Sequence, residues 1–376
     1  MKTWVEINKA ALNNNLAQFR NLIGPEVKLM GVVKANAYGH GLVEVAQIIA
    51  DQVDWFGVDS IIEALKLREV GIKKPILILG YTEFKDLREA VKNNISLTVY
   101  NKETIERLGK IPIQNPHFNP KVHIKFETGT SRQGIGEAEI LDFISFIKNY
   151  PSIEIEGLST HYANIEDTTD SNFAIQQLAV FSRAVSILEK EGIKIPLKHT
   201  ACSAATILFP ETHFDMVRLG ISMYGLWSSK ETKAVAKNKN IDLDLKPALV
   251  WKTIVAQIKG VRAGTPIGYG LTERTSRDSK IAVLPVGYWD GYDRKLSSVG
   301  NVLIHGRRCK VLGRVCMNMI VVDVTDLTKI NLEDEVVLLG RQGREEVSAE
   351  EIAQKVGTIN YEVVTRINPL ISRVVV

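Results

Sequence analysis

The chain has 376 residues, enough for about two domains of ordinary size, and its 45% hydrophobic and 24% charged residues give the balance of a globular protein with a large core. A formal net charge of +4, with no lysine or arginine block, argues against nucleic acid or a membrane surface as the main partner. Three cysteines (Cys202, Cys309, Cys316) leave one unpaired in any disulfide scheme, the opening Met1-Lys2-Thr3-Trp4 lacks an apolar signal segment, and no run reaches membrane-spanning length, so the sequence reads as cytoplasmic.

In chain order, Trp4–Ile7 predicts a short strand and Lys9–Ile23 a helix, with Asn8 as its N-cap and Gly24-Pro25 as its stop. From Val27 to Gly220, apolar runs alternate with helical spacing. The runs are Lys28–Lys34, Trp55–Val58, Pro75–Leu79, Ser96–Val99, Lys121–Phe126, Ile153–Thr160, Pro196–Thr200 and Phe214–Arg218. Segments such as Ile175-Leu178-Ala179-Phe181-Val185-Leu188 supply the helices between them. About eight strand–helix repeats in succession predict an α/β fold, a closed (β/α)8 barrel of the TIM type, rather than an open sheet. The first run ends in Lys34-Ala35-Asn36-Ala37-Tyr38-Gly39-His40-Gly41, which is not the glycine fingerprint an open dinucleotide-binding sheet needs.

After Trp227 the texture changes. Residues 228–245 are polar and lysine-rich and read as a linker. Beyond them, Ala248–Ile258, Lys280–Val286, Asn301–Ile304, Lys310–Leu312, Met319–Val324 and Glu335–Leu339 predict strands, with one helix near Ser348–Val356. The expected organisation is a barrel domain over 1–227, a linker over 228–245 and a mostly β domain over 246–376. The N-terminal strand and helix are candidates to pack with the second domain.

Barrel enzymes work at the C-terminal ends of their strands. The polar residues there are Lys34, Lys125 with Arg132 in its loop, His161, His199 with Ser203 beyond it, and Arg218 ahead of Gly220-Ile221. This rim is basic and poor in carboxylates apart from Glu127. It shows neither the paired acids of a glycosidase nor a metal-ligand spacing. An anion bearing a phosphate suits it, since barrels of this type bind phosphate after strands seven and eight. A strand-end lysine beside a phosphate site is what a pyridoxal cofactor needs, because a desolvated, neutral amine can bond its carbonyl carbon. A lysine that merely ends a strand is the plainer alternative, and Lys34 by itself does not decide between them.

The segment Val32–Gly41 resembles the cofactor-lysine motif of bacterial alanine racemases. Val217-Arg218-Leu219-Gly220-Ile221-Ser222-Met223-Tyr224-Gly225 and Ala263-Gly264-Thr265-Pro266-Ile267-Gly268-Tyr269-Gly270 resemble two further motifs of that family. So do Cys316-Met317-Asn318-Met319 and Thr358-Ile359-Asn360-Tyr361-Glu362. The order of all five is specific, and the likeness runs over essentially the whole chain.

The resemblance implies a racemase that interconverts L- and D-alanine on pyridoxal 5'-phosphate and supplies D-alanine for peptidoglycan. Lys34 would carry the cofactor and act as base toward the D-isomer, with Tyr269 as base toward the L-isomer. Arg218, backed by His199, would face the pyridine nitrogen, and His161 would pack on the ring. Tyr38, Ser203, Gly220, Ile221 and Tyr361 would bind the phosphate. Arg132 would contact the cofactor oxygen and, with Met317, the substrate carboxylate. Strand alternation turns His123, Lys125 and Glu127 into the barrel. The family implies a carbamylated lysine at Lys125; a Lys125–Glu127 or Lys125–cofactor charge contact carries comparable weight. Glu166, Tyr288, Arg294, Arg314 and Ile359 would line the approach to the pocket. A homodimer with active sites shared between subunits is expected, and a metal is not.

Two departures stand out: Asn318 replaces the usual aspartate, and Glu127-Thr128-Gly129-Thr130 replaces Asp-Thr-Gly-Met. Both bear on substrate preference, and a serine or broad-specificity racemase stays open, although Tyr361 and Met317 would crowd a larger side chain. A pyridoxal-dependent decarboxylase of the same fold is the nearest rival; it would pair the ring nitrogen with a carboxylate and lack Tyr269. A non-catalytic pyridoxal-phosphate carrier would have the barrel alone.

Overall fold

A computed structural model describes residues 1–112 and 119–376, which form two compact units. One comprises Ala10–Ala35 and Val45–Lys246, the other Met1–Lys9, Asn36–Glu44 and Pro247–Val376.

The first unit holds eight parallel strands, Lys28–Val32, Trp55–Val58, Ile76–Ile78, Ser96–Val99, Lys121–Lys125, Glu154–Ser159, Leu197–His199 and Met216–Leu219. The first seven pair each with the next, and the eighth pairs with the first, Lys28 opposite Met216. Backbone bonds from Asp215 N to Lys198 O and from Arg218 N to Ala201 O, both 3.0 Å, join the seventh and eighth. This is the closed barrel that the sequence alternation predicts. Its strands are buried on both faces, which is why they read as unbroken apolar runs. The first strand ends at Val32 rather than Lys34, because Lys34–Tyr38 coils into a single turn.

Helix Asn172–Lys190 shows how the outer layer is fixed. It buries Ala174, Gln177, Phe181, Ala184 and Leu188 at alternating steps of three and four, one face of a 3.6-residue period. Phe181 is fully buried and meets Phe126 and Phe214 edge-on, with ring centres 6.3 and 5.2 Å apart. Phe126 therefore faces the helices, while His123 meets Trp55 and His199 on the inner face. The stretch 228–245 is not a bare linker: it carries a helix, Lys230–Asn238. Ser229 caps that helix by accepting from Thr232 N, and the lysines that suggested a linker lie on the face opposite buried Thr232 and Ala236.

The second unit is built on a long sheet. Its path runs from Gln257–Val261 through Ser279–Leu284, Ile320–Asp323, Arg307–Leu312, Asn301–Ile304, Glu335–Gln342 and Leu249–Ile254 to Thr3–Ile7 and Ser372–Val375. The run read as one strand over Ala248–Ile258 is two. At Val255 and Ala256 the chain changes partners, bonding first to Asp334 O and then to Val283 O. Thr3–Ile7 is antiparallel to Leu249–Ile254 and parallel to Ser372–Val375. Helix Ala349–Val356 starts at the Ser348 cap and stops at Gly357, whose φ of +76° is left-handed. Helix Asn360–Thr365 and the last strand have no clear periodic signal in the sequence.

Phe181→Ala should cost about 3–5 kcal/mol of stability, since it removes a fully buried ring and leaves a cavity between two others. Urea unfolding checks this; a loss below about 1 kcal/mol would mean that the helix docks without it.

Candidate active site

The basic rim predicted from strand ends is assembled within the barrel unit. Arg218, in the eighth strand, is 6% exposed and held almost wholly by carbonyl oxygens. Its Nη1 donates to His199 Nδ1 and His199 O, each at 2.7 Å. Its Nη2 donates to Thr160 O at 2.8 Å and Thr200 O at 2.9 Å, with His161 Nδ1 at 3.4 Å. Asp215, the carboxylate nearest in sequence, pairs instead with Lys198 at 2.9 Å. Among the described residues Arg218 has no ion-pair partner, and its Nε–H finds no protein acceptor. Burial draws its pKa down to about 10, so the charge persists at neutral pH.

Burial and that charge together lower the pKa values of its neighbours. Burial, then Arg218, Lys125, Arg132 and Lys34, push the His161 imidazole well below its ordinary range. Burial, then Arg218, His123 and Lys125, do the same to His199. Guanidinium has no acceptor atom, so the Nδ1 atoms of both rings accept and both rings are neutral. Lys125 ends the fifth strand, where burial lowers its pKa well below the usual lysine range; Arg218, Arg132 and Lys34 add to the shift and Glu127 opposes it.

Glu127 does not pair with Lys125. Its carboxylate accepts from the backbone N–H groups of Gly129 at 2.5 Å, Thr130 at 2.6 Å and Arg132 at 3.3 Å, closing the loop that presents Arg132. Gln177 braces the same loop, donating to Thr128 Oγ1 at 3.1 Å and His161 O at 3.2 Å. Lys34 Nζ lies 3.4 Å from Asp59 Oδ1. Ser203 Oγ accepts from Gly220 N at 3.1 Å and Ser222 N at 3.4 Å, and beside it the buried Ser222 hydroxyl has no protein partner. Ile221 is 1% exposed. Glu166 is half-buried, and its carbonyl accepts from Ser229 and Thr232. Asp59 was legible in principle, since it follows the second strand as Lys34 follows the first. The carbonyl partners of Arg218 leave no mark in a sequence.

The second unit carries the other candidates. Tyr38 lies in the turn after Lys34, where Ala35, Asn36, Ala37 and Tyr38 all have φ between +52° and +54°. A left-handed turn of four non-glycine residues costs about 1–2 kcal/mol at each, so its surroundings must hold it. Within this unit Asn36 Oδ1 accepts from Leu42 N at 2.9 Å, and Arg373 donates to Gly39 O at 2.9 Å. Gly39 packs so close to Val364 that a Cβ would stand 2.0 Å from its carbonyl oxygen. The Tyr38 and Tyr361 ring centres are 6.2 Å apart.

Tyr269 is flanked by Gly268 and Gly270, with φ of +71° and +73°, and is 71% exposed. The Arg314 guanidinium lies against Gly270. Tyr288 N donates to Cys316 O and Trp289 N to Met317 O, each at 3.0 Å, which brings Tyr288 and Met317 together. Arg294 and Ile359 are exposed. Asn318 Nδ2 is 3.5 Å from Asp290 Oδ2, so an aspartate at 318 would face a second carboxylate there.

The chain matches the family models described as Alanine racemase, N-terminal domain, over residues 7–228, and Alanine racemase, C-terminal domain, over 248–375. It is 42% identical to alanine racemase of Methanococcus maripaludis, across 99% of this chain and 98% of that protein. It is 41% identical to alanine racemase of Halothermothrix orenii, across 99% and 96%. Among solved structures it is similar to alanine racemase of Clostridium difficile, with a TM-score of 0.92 and 35% identity over 100% of this chain and 96% of that one. It is equally similar, at 0.92 and 36% over 100% and 95%, to the Bacillus anthracis enzyme with bound L-Ala-P.

His40 follows the left-handed turn, is 1% exposed and donates from Nδ1 to Tyr38 O at 3.0 Å. Burial lowers its pKa from 6.5 to about 4, against the raising effect of the Tyr38 and Ala37 carbonyls. Between these values the unfolded chain binds the proton more readily, so stability falls as pH falls from 6.5 to about 4, on the order of 3 kcal/mol in all. His40→Gln should flatten this part of the stability profile. Denaturant titrations across the window that give parallel slopes for both proteins would contradict the assignment.

Proposed function

The chain belongs to the alanine racemase family, isomerases that interconvert L- and D-alanine, and we propose that it works on pyridoxal 5'-phosphate attached at Lys34, with Lys34 and Tyr269 as opposed bases. The observation that carries this reading is Arg218: its Nη hydrogens are met by protein acceptors and its Nε–H is left to a ligand. A pyridine nitrogen, an acceptor with no proton of its own, fits that donor. The unpartnered Ser222 hydroxyl beside Ser203 and Gly220 fits a phosphate oxygen.

The cofactor, when bound, supplies the electron sink that makes the α-proton of alanine removable. A guanidinium cannot give up its proton to the ring nitrogen, so Arg218 keeps the sink weak and limits side reactions. Inversion requires one group to take the α-proton from one face and another to return a proton on the opposite face, which is the division between Lys34 and Tyr269. His161 would pack on the ring; Tyr38, Ser203, Gly220, Ile221 and Tyr361 would hold the phosphate; Arg132 and Met317 would hold the substrate carboxylate. In its neutral form, which the lowered pKa favours, the Lys125 amine can add carbon dioxide, forming an N–C bond with loss of a proton, and the resulting carbamate would orient Arg132. Glu166, Tyr288, Arg294, Arg314 and Ile359 line the approach. The guanidinium in place of a carboxylate counts against a decarboxylase.

The working unit in this reading is a cytoplasmic homodimer in which the β domain of one subunit covers the barrel mouth of the other. Among the described residues no helix is long and apolar enough to cross a membrane. In the single chain Tyr269, Leu271, Trp289, Met317, Met319 and Ile359 are 55 to 71% exposed, a concentration of apolar surface that calls for a partner.

Lys34→Ala and Tyr269→Phe chains should each lose nearly all racemisation in both directions, and Lys34→Ala should also lose the cofactor's visible absorbance. Mixed under subunit exchange, they should recover roughly a quarter of wild-type activity, since each mixed dimer would contain one intact site. Mixed dimers verified by mass and still inactive would show that each chain supplies both bases to its own site.

A further inference from the structure

We propose that Glu156, at the N-terminal end of the barrel, is a positioning residue that sets Arg218 through His123 and His199. The proposal rests on the reading that Arg218 faces the cofactor. Arg218 Nη1 can only donate, so His199 Nδ1 accepts at 2.7 Å and the His199 proton sits on Nε2. That N–H donates to His123 Nδ1 at 2.9 Å, which leaves the His123 proton on its own Nε2. The chain ends on Glu156 Oε2 at 3.2 Å, an oxygen that also accepts from Ser96 Oγ at 2.6 Å. An ionised carboxylate only accepts, so the hydrogen bonds have one polarity from end to end. Both histidines are fully buried, and water does not compete for the links.

The charged groups at the far end agree with this polarity. Burial raises the Glu156 pKa, but His123, Ser96 and Lys121 outweigh it and hold the carboxyl below its ordinary range. Lys121 Nζ lies 3.9 Å away on a partly exposed side chain. Among the described residues Glu156 is the one carboxylate linked to Arg218 by this path; the intervening imidazoles pass its polarity inward. Gly157 supports the same arrangement. A Cβ there would stand 2.2 Å from His123 Nδ1, so the ring lies directly on the backbone of the residue after Glu156. The pairing of the fifth and sixth strands slips between Val122 and His123 at this place.

Without an acceptor at 156, His123 Nε2–H is stranded and the ring gains by moving its proton to Nδ1. That drives the His199 proton toward its own Nδ1, where it opposes the donor of Arg218. The test is 15N NMR of the histidine tautomers in the pyridoxal-phosphate-loaded protein, together with kcat and KM for alanine. Glu156→Leu should lose the single Nε2–H tautomer at His199 and lower kcat about tenfold, with KM within about twofold. Glu156→Gln keeps an acceptor oxygen and should keep both tautomers. Gly157→Ala displaces the His123 ring without touching the carboxylate and should reproduce the Glu156→Leu pattern; it decides the matter if the leucine variant does not fold. Unchanged tautomers in the altered chains would overturn the proposal whatever kcat does, and so would lost tautomers with wild-type kcat. Failure of the racemase reading itself would appear in the wild-type protein, as absent alanine racemisation with the tautomers intact.

Discussion

A buried positive charge without an adjacent negative one is the constraint around which the barrel unit is organised. Arg218 is nine-tenths enclosed, and bringing a guanidinium into such a place is unfavourable unless its hydrogens are met. The barrel meets them with the carbonyls of Thr160, His199 and Thr200, which emerge where the sixth and seventh strands end. The lowered pKa values of His161, His199 and Lys125 follow from burial together with that charge. A carboxylate placed directly on Arg218 would have relaxed the constraint.

The loops around that charge are held by short local bonds. Glu127 gathers the N–H groups of its own loop, and Gln177 reaches from an outer helix to brace it. Thr130 contributes here, since its hydroxyl donates to His161 O at 2.6 Å. In the other unit, Asn36–Tyr38 keep a left-handed backbone conformation that these residues would not choose alone, and it persists because Gly39 and Asn36 are locked by neighbours within that unit.

Much of this was legible in the sequence, for identifiable reasons. The barrel strands are buried on both sides and stand out as apolar runs, and helix Lys9–Ile23 carries its stop signal in Gly24-Pro25. Lys34, Lys125, His199 and Arg218 could be chosen because a barrel presents its strand ends. What escaped had no local signature. The helix Lys230–Asn238 was hidden by lysines, which mark its outer face. The division at Val255 reflects a change of sheet partner, invisible where both strands are equally apolar. Glu156 lies on a strand of mixed pattern, and only the partner across the barrel gives it meaning. The left-handed turn follows from packing rather than from glycine, since none of its four residues is one.

The placement of Thr3–Ile7 between Leu249–Ile254 and Ser372–Val375 has a consequence for biogenesis. Thr3–Ile7 is made well before either of the strands that flank it, and the backbone bonds from Lys9 N to Val376 O and Val376 N to Ile7 O complete its surroundings. At about 5–20 residues per second, roughly 20–70 s separate its synthesis from that of its last neighbour. Through that interval an apolar segment with a bare hydrogen-bonding edge is exposed while the barrel beside it in sequence has already been made. The growing chain therefore carries an unpaired strand ahead of a finished barrel, the kind of edge that chaperones bind and that other nascent copies can capture.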